Sequence, residues 1–170
     1  MRVLQLMEKM MSMSDEVWAR HANPLSVYTR FTVLPLLSLS IYSSNWFGLY
    51  CLIPVSLSLF WAWYNPRAFA PPQYTNNWAS KGTFGERIYL RKAQVAIPSH
   101  HLVMARWLIF LSAVGTLLFV VSLAMNDPLL IVCANLTVVL PKAWFVDRMV
   151  WLYEDMVDTD PEFQGWLRTE

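Results

Sequence analysis

From residue 31 to residue 66 this chain carries no Asp, Glu, Lys or Arg, a run of 36 residues. No other feature limits its fold so strongly. As one helix the run would be about 54 Å long, nearly twice the hydrocarbon core of a bilayer. It therefore has to fold back on itself. Ser43, Ser44 and Asn45, with Gly48 just beyond, mark the break. The run then divides into a first span over 25–43, kinked at Pro35, and a second over 46–64 with aromatic residues at both ends, as interfacial belts require.

Two more uncharged runs follow, 107–126 and 128–141, of 20 and 14 residues. Asn126-Asp127-Pro128 between them reads as a tight turn, with Asp127 placed to face a helix N-terminus and Pro128 suited to its first turn. They predict a third span over 105–125 and a fourth from 128 to about 151. Apolar residues make up 56% of the chain and charged residues 15%, more apolar surface than a soluble domain of 170 residues could bury, so lipid has to cover it. The expected fold is all-α: a polytopic membrane protein with four transmembrane helices as two hairpins. A short amphipathic N-terminal helix begins at Ser14-Asp15-Glu16 and is interrupted at Asn23-Pro24. The whole chain, 1–170, is then a single membrane domain. It divides into an N-terminal segment (1–24), a first hairpin (25–64), a basic segment (65–104), a second hairpin (105–151) and an acidic tail (152–170).

Charge sets the expected orientation. Under this division all thirteen Lys and Arg fall on one side, and the two hairpin turns contain none. The positive-inside rule then places both termini and the 65–104 segment in the cytoplasm of a cell-membrane protein. That segment has five basic residues against Glu86, whereas 152–170 has six acids against Arg168. The two are expected to neutralise each other across the membrane surface, the alternative being a tail solvated on its own. Residues 82–92 read as a short surface helix with Ile88, Tyr89 and Leu90 partly buried, and their basic residues suit anionic headgroups.

Several contacts are expected within the spans. Arg30 lies close enough to its helix start to snorkel to the headgroups. Ser112, Gly115 and Thr116 give the third helix a small-residue face for close packing, and Asn135 is placed to act as interhelical glue. Arg106 and Asp147 lie 21 and 20 residues from Asp127, at one depth on opposite arms, and are expected to pair. Cys51 and Cys133 sit in apolar runs and read as small hydrophobes rather than a disulfide. The opening residues 1–16 lack a signal-peptide pattern, and Met7, Met10, Met11 and Met13 are alternative starts.

Little in the sequence carries chemistry. There is no GxSxG elbow, no phosphate loop and no paired-cysteine metal spacing, and the aromatics near basic residues are belt residues rather than a nucleic-acid surface. His21, His100 and His101 all precede spans and can meet near the inner interface. Asp147, Glu154 and Asp158 recur at steps of seven and four along one helix face. Arg20, His21, His100, His101, Asp147 and Glu154 are therefore the candidate polar centre, and His21, His100 and His101 the candidate metal ligands. Against this, adjacent histidines point apart on a helix, so His100 and His101 are not expected to chelate together. A structural or interfacial role is the weightier reading. No cofactor is expected, a metal ion being the exception to test.

The string WARHANPLSVYTRF from Trp18, with NPRAF at Asn65, WASKGTFGER from Trp78 and PSHH at Pro98, resembles a family of small uncharacterised prokaryotic integral membrane proteins with a domain of unknown function. The resemblance runs from Trp18 to about Trp151. It implies an integral membrane protein and carries over no catalytic residue. The leading expectation for function is a non-enzymatic scaffold, accessory or assembly subunit. Its partners would be membrane lipids, anionic headgroups included, and other membrane subunits or a second copy. An interfacial enzyme acting on a lipid or amphiphile, and an oligomeric transporter or channel, are the alternatives.

Overall fold

The computed structural model describes residues 13–169, and all regular structure among them is helical. Helix α1 (Asp15–His21) starts where Ser14 accepts from the Val17 amide, with Asp15 and Glu16 in its first turn and Arg20 and His21 in its last. Asn23 caps α2 (Pro24–Arg30) through the Leu25 amide. The chain is interrupted at Phe31-Thr32 before α3 (Val33–Tyr42) begins. Pro35 accounts for the interruption, since its ring crowds the carbonyl four residues back, that of Phe31. A short α4 (Ser44–Phe47), Gly48 at φ 53° and a 3-10 turn over Gly48–Cys51 turn the chain into α5 (Leu52–Ala68). The second span was expected to end at residue 64. Instead Pro66 lies inside α5, and the Arg67 side chain reaches back to the Trp63 carbonyl at 2.6 Å.

Helix α6 (Trp78–Leu90) is capped by Asn77, whose side chain accepts from the Ser80 amide. The two long helices are α7 (Ser99–Met125) and α8 (Pro128–Met156), joined by Asn126 in the left-handed region at φ 55° and by Asp127, which caps α8 through the Leu130 amide. A 3-10 turn over Val157–Thr159 leads into α9 (Pro161–Gly165). Three segments are long and apolar enough to cross a membrane: Pro24–Ala68 taken as one run, Ser99–Met125 and Pro128–Thr159.

Polar side chains tie the apolar helices together. Ser40 and Ser58 share a hydrogen bond of 3.1 Å between α3 and α5. Asn135 on α8 donates to Ser38 on α3 at 2.8 Å, the interhelical role expected of it. Asn45 and Asn126 exchange two amide hydrogen bonds, of 2.8 and 2.7 Å, between the two turns. Gly115 lets α7 approach α8 so closely that a Cβ there would lie 2.5 Å from the Thr137 carbonyl oxygen, which fits the small-residue face.

At 27 and 29 residues α7 and α8 are about 40 Å long or more, and a bilayer core needs about 30 Å. The excess carries a packed headpiece. Its core joins Ala22 just after α1, Phe84, Ile88 and Tyr89 of α6, Met149, Leu152 and Tyr153 of α8, and Phe163 of α9. One expectation is corrected here and one alternative is set aside. Residues 82–92 are not a surface helix with three half-buried apolar residues, because Ile88 and Tyr89 are fully buried against α8. Gly85 makes that packing feasible: a Cβ there would overlap the backbone of Met149. Nor is 152–170 merely a solvated tail. The Tyr153 hydroxyl donates to the Phe163 carbonyl at 3.0 Å, and Thr75 bonds to the backbone of both Trp166 and Arg168. The alternative starts Met7, Met10 and Met11, with the rest of residues 1–12, lie outside the described residues.

Candidate functional site

Two polar clusters stand out in the headpiece. The first is buried where α1, α2, α5, α6 and α8 meet. Arg30 Nη2 donates to His21 Nδ1 at 3.3 Å, and Ser26 Oγ lies 2.8 Å from the same nitrogen. A guanidinium can only donate, so Nδ1 is an acceptor and the imidazole is neutral. The pKa of His21 is accordingly held well below 6.5, first by burial and then by the positive charges of Arg30 and Lys142. Ser26 Oγ also lies 3.1 Å from Asn65 Oδ1, and Asn65 donates to Thr29 at 2.7 Å. Glu86 on α6 faces Arg30 at 3.8 Å and Lys142 at 3.5 Å. Burial works to raise the pKa of Glu86, but Lys142 and Arg30 outweigh it and hold the carboxyl below its ordinary range. Arg30, expected to snorkel, thus converges with Lys142 on one carboxylate that is only 18% exposed.

A serine oxygen 2.8 Å from a neutral histidine has the geometry of a nucleophile and its base. Access rules that role out in this conformation: Ser26 is 0% and His21 1% exposed. The cluster is a structural joint between the headpiece and the apolar helices.

The second cluster is open to solvent. His101 Nε2 lies 2.8 Å from Asp155 Oδ2 and His100 Nε2 lies 3.8 Å from the same oxygen. The two imidazole centroids are 4.1 Å apart. The expectation that these neighbours point apart is corrected. They occupy the first turn of α7, where side chains lean toward the N-terminus with no preceding turn in the way, so both rings reach past the helix end.

The six residues expected as one polar centre are distributed among separate interactions. Arg20 pairs with Glu16 on the surface at 2.9 Å. His21 belongs to the buried joint, and His100 and His101 share Asp155. Asp147 accepts from the Trp78 indole at 3.1 Å, and Glu154 pairs with Lys81 at 2.9 Å. The metal-capable group of His100, His101 and Asp155 does not include His21. Nor does Arg106 pair with Asp147. Helix α6 covers the face of α8 that presents Asp147, while Arg106 turns back to the Leu102 carbonyl at 3.2 Å. Equal depth on two arms does not confer equal rotation.

Sequence reasoning missed Asp155, although the register that matched Arg106 with Asp147 contained it: His101 and Asp155 lie 26 and 28 residues from Asp127. It also missed Glu86 as a buried partner. The single acid in a basic segment beside two glycines was the available signal.

Basic and acidic segments meet as expected. Arg87 bonds Asp15 and lies 3.9 Å from Glu162, which accepts from Arg91 at 2.8 Å. The Arg91 hydrogen bond holds the Glu162 carboxyl below its usual range. Arg87 and Arg91 also lie over the Trp166 ring, at 4.6 and 5.6 Å. Of two surface clefts here, one has about 70 Å³ of room between Trp18, Phe84 and Trp166, the other about 280 Å³ beside Asp15, Arg87 and Arg91.

No curated protein and no solved structure matches this chain. Nearly all of it, residues 2–169, matches a family of unknown function, DUF6653, and the chain belongs to that family.

Proposed function

We propose that this chain is an integral membrane protein crossing the bilayer four times, as two helical hairpins, and that it works as a non-catalytic scaffold or assembly subunit. The headpiece, both termini and the 65–104 segment lie on the cytoplasmic side, following the distribution of Lys and Arg. The pairing of Thr29 with Asn65 and of Ser40 with Ser58 supports the first hairpin, since the contacts draw together in sequence toward the 43–45 turn.

One observation carries the functional reading. In its most apolar window, the Pro24–Ala68 segment has only 6% of its residues buried within the chain, against 22% in the other two. Trp46, Leu49, Tyr50, Ile53 and Phe60 all stand more than half exposed. Lipid covers such a face, and so does another membrane helix, whereas a catalytic reading needs a reachable reactive group. The Ser26–His21 pair is sealed, one cleft beside the headpiece core has only about 70 Å³ of room, and the lining of the larger one, about 280 Å³, has no histidine, serine, threonine or cysteine. Native mass spectrometry of protein released gently from its own membrane tests the reading. A heteromeric or homo-oligomeric mass is expected. A bare monomer carrying one stoichiometric amphiphile would overturn it in favour of an interfacial enzyme.

A further inference from the structure

Among the described residues, His100, His101 and Asp155 form a group of potential metal ligands outside the buried joint. Each offers one ligand atom, and these atoms all lie within 4.8 Å of one another. Two imidazole nitrogens and a carboxylate oxygen form the donor set that first-row divalent ions take. The separations fit as well. Ligands on a tetrahedral ion with bonds of about 2.0–2.1 Å lie about 3.3 Å from one another, and Asp155 Oδ2 is 2.8 Å from one imidazole nitrogen and 3.8 Å from the other. The three ligand atoms spread over up to 4.8 Å, so an ion entering between them draws the two exposed side chains in by up to about 1.5 Å, within the reach of surface side chains.

The surroundings are graded in rigidity. The His101 side chain is 4% exposed and held in the core, whereas His100 is 70% and Asp155 55% exposed. One ligand is fixed and two can close on an ion arriving from solvent, leaving a fourth position for water. Asp155 lies in the last turn of α8, where the helix carbonyls add negative potential. The His101–Asp155 contact links the headpiece ends of α7 and α8.

We propose that His100, His101 and Asp155 form a mononuclear site for a divalent transition-metal ion of the zinc type, joining the ends of α7 and α8. The inference uses headpiece geometry alone and stands whether or not the chain assembles with partners.

The test is zinc titration of the full chain in mild detergent, purified without a polyhistidine tag, stripped with chelator and read by competition with a chromogenic chelator. One Zn²⁺ per chain is expected, with at least a tenfold loss of affinity in His100→Ala and again in Asp155→Asn. His101→Ala removes a buried side chain and can unfold the headpiece. His100→Ala, at an exposed position, therefore decides the matter, with circular dichroism confirming its fold. Cobalt substitution should give the intense visible absorption of a tetrahedral site in the wild-type chain and not in Asp155→Asn. Wild-type binding no tighter than that of a folded His100→Ala, Asp155→Asn double variant would overturn the proposal.

Discussion

The headpiece and the apolar helices are built from the same kinds of residue and solve opposite problems. In the headpiece, Ile88, Met149, Leu152 and Phe163 are fully buried by the chain itself, and charges rim the surface in pairs such as Lys81–Glu154 and Arg91–Glu162. Along the helices, Leu49, Leu117 and Leu129 stand two-thirds or more exposed, and the ties are neutral: Ser40 to Ser58, Ser38 to Asn135, Asn45 to Asn126. Water drives the first arrangement, since apolar surface there gains free energy by leaving it. In the proposed membrane setting lipid permits the second, because in hydrocarbon apolar burial gives no advantage and neutral hydrogen bonds and close packing hold helices together. The layer of Arg30, Glu86, Lys142 and His21 lies where the two regimes meet, and there charge is kept only because it is paired.

This contrast can be broken most sharply at Gly85. Its replacement by Val forces α6 off the Met149 backbone and should cost at least about 3 kcal/mol, seen as a large fall in melting temperature in detergent. Gly165→Ala, with nothing within 4 Å, should change stability by no more than about 0.5 kcal/mol. Equal effects at the two positions would deny that the headpiece is a packed core.

The joint comes next. Glu86→Gln leaves Arg30 and Lys142 facing each other without their carboxylate and should destabilise by about 3 kcal/mol. Glu16→Gln, which breaks the exposed pair with Arg20, should cost about 0–1 kcal/mol.

The same layer sets the pH response. The folded pKa of His21 is depressed below 6.5, so the unfolded chain binds the proton that the folded one refuses. Stability is then full above about pH 6.5 and falls as pH drops below it. Glu86, depressed below 4.5, adds a second loss as pH falls further through its folded pKa. Thermal melts from pH 7.5 down to about pH 2 should show both phases, and Glu86→Gln should lack the lower one. Stability that rises on acidification from pH 7 to 5.5 would contradict the neutral His21.

The smallest effect belongs to the helices. Asn135→Leu removes the bonds to Ser38 and should cost about 0.6 kcal/mol, because an unfolded helix in a membrane finds other partners. A loss as large as that of Glu86→Gln would erase the distinction between the two regions.

Turns and caps were the most legible features of the sequence. Ser43 to Asn45, Asn23-Pro24 and Asn126 to Pro128 mark breaks because each carries local chemistry: short polar side chains that bond their own backbone, or a ring without an amide hydrogen. Asn135 could be read because a lone amide in an apolar run needs a partner, and Ser38 supplied it. Tertiary packing was not legible from local signals. Residues 82–92 look basic and half-apolar, so they suit a membrane surface as well as a core. Only the close approach at Gly85, set by the partner helix α8, decides between the two. The polar tail concealed Tyr153, Met156 and Phe163 as core residues because acids outnumber them locally. The His100–His101–Asp155 group was hidden by a rule that holds inside helices and fails in their first turn.

The central claim is that the two turns and the headpiece lie on opposite faces of one membrane. Impermeant maleimide labelling of intact cells tests it directly, in a chain whose Cys51 and Cys133 are first changed to Ala. Ser44→Cys and Met125→Cys, at the exposed turns, should label from outside, and Gln94→Cys in the headpiece should label only after permeabilisation. Labelling of all three positions from the same face would contradict the account.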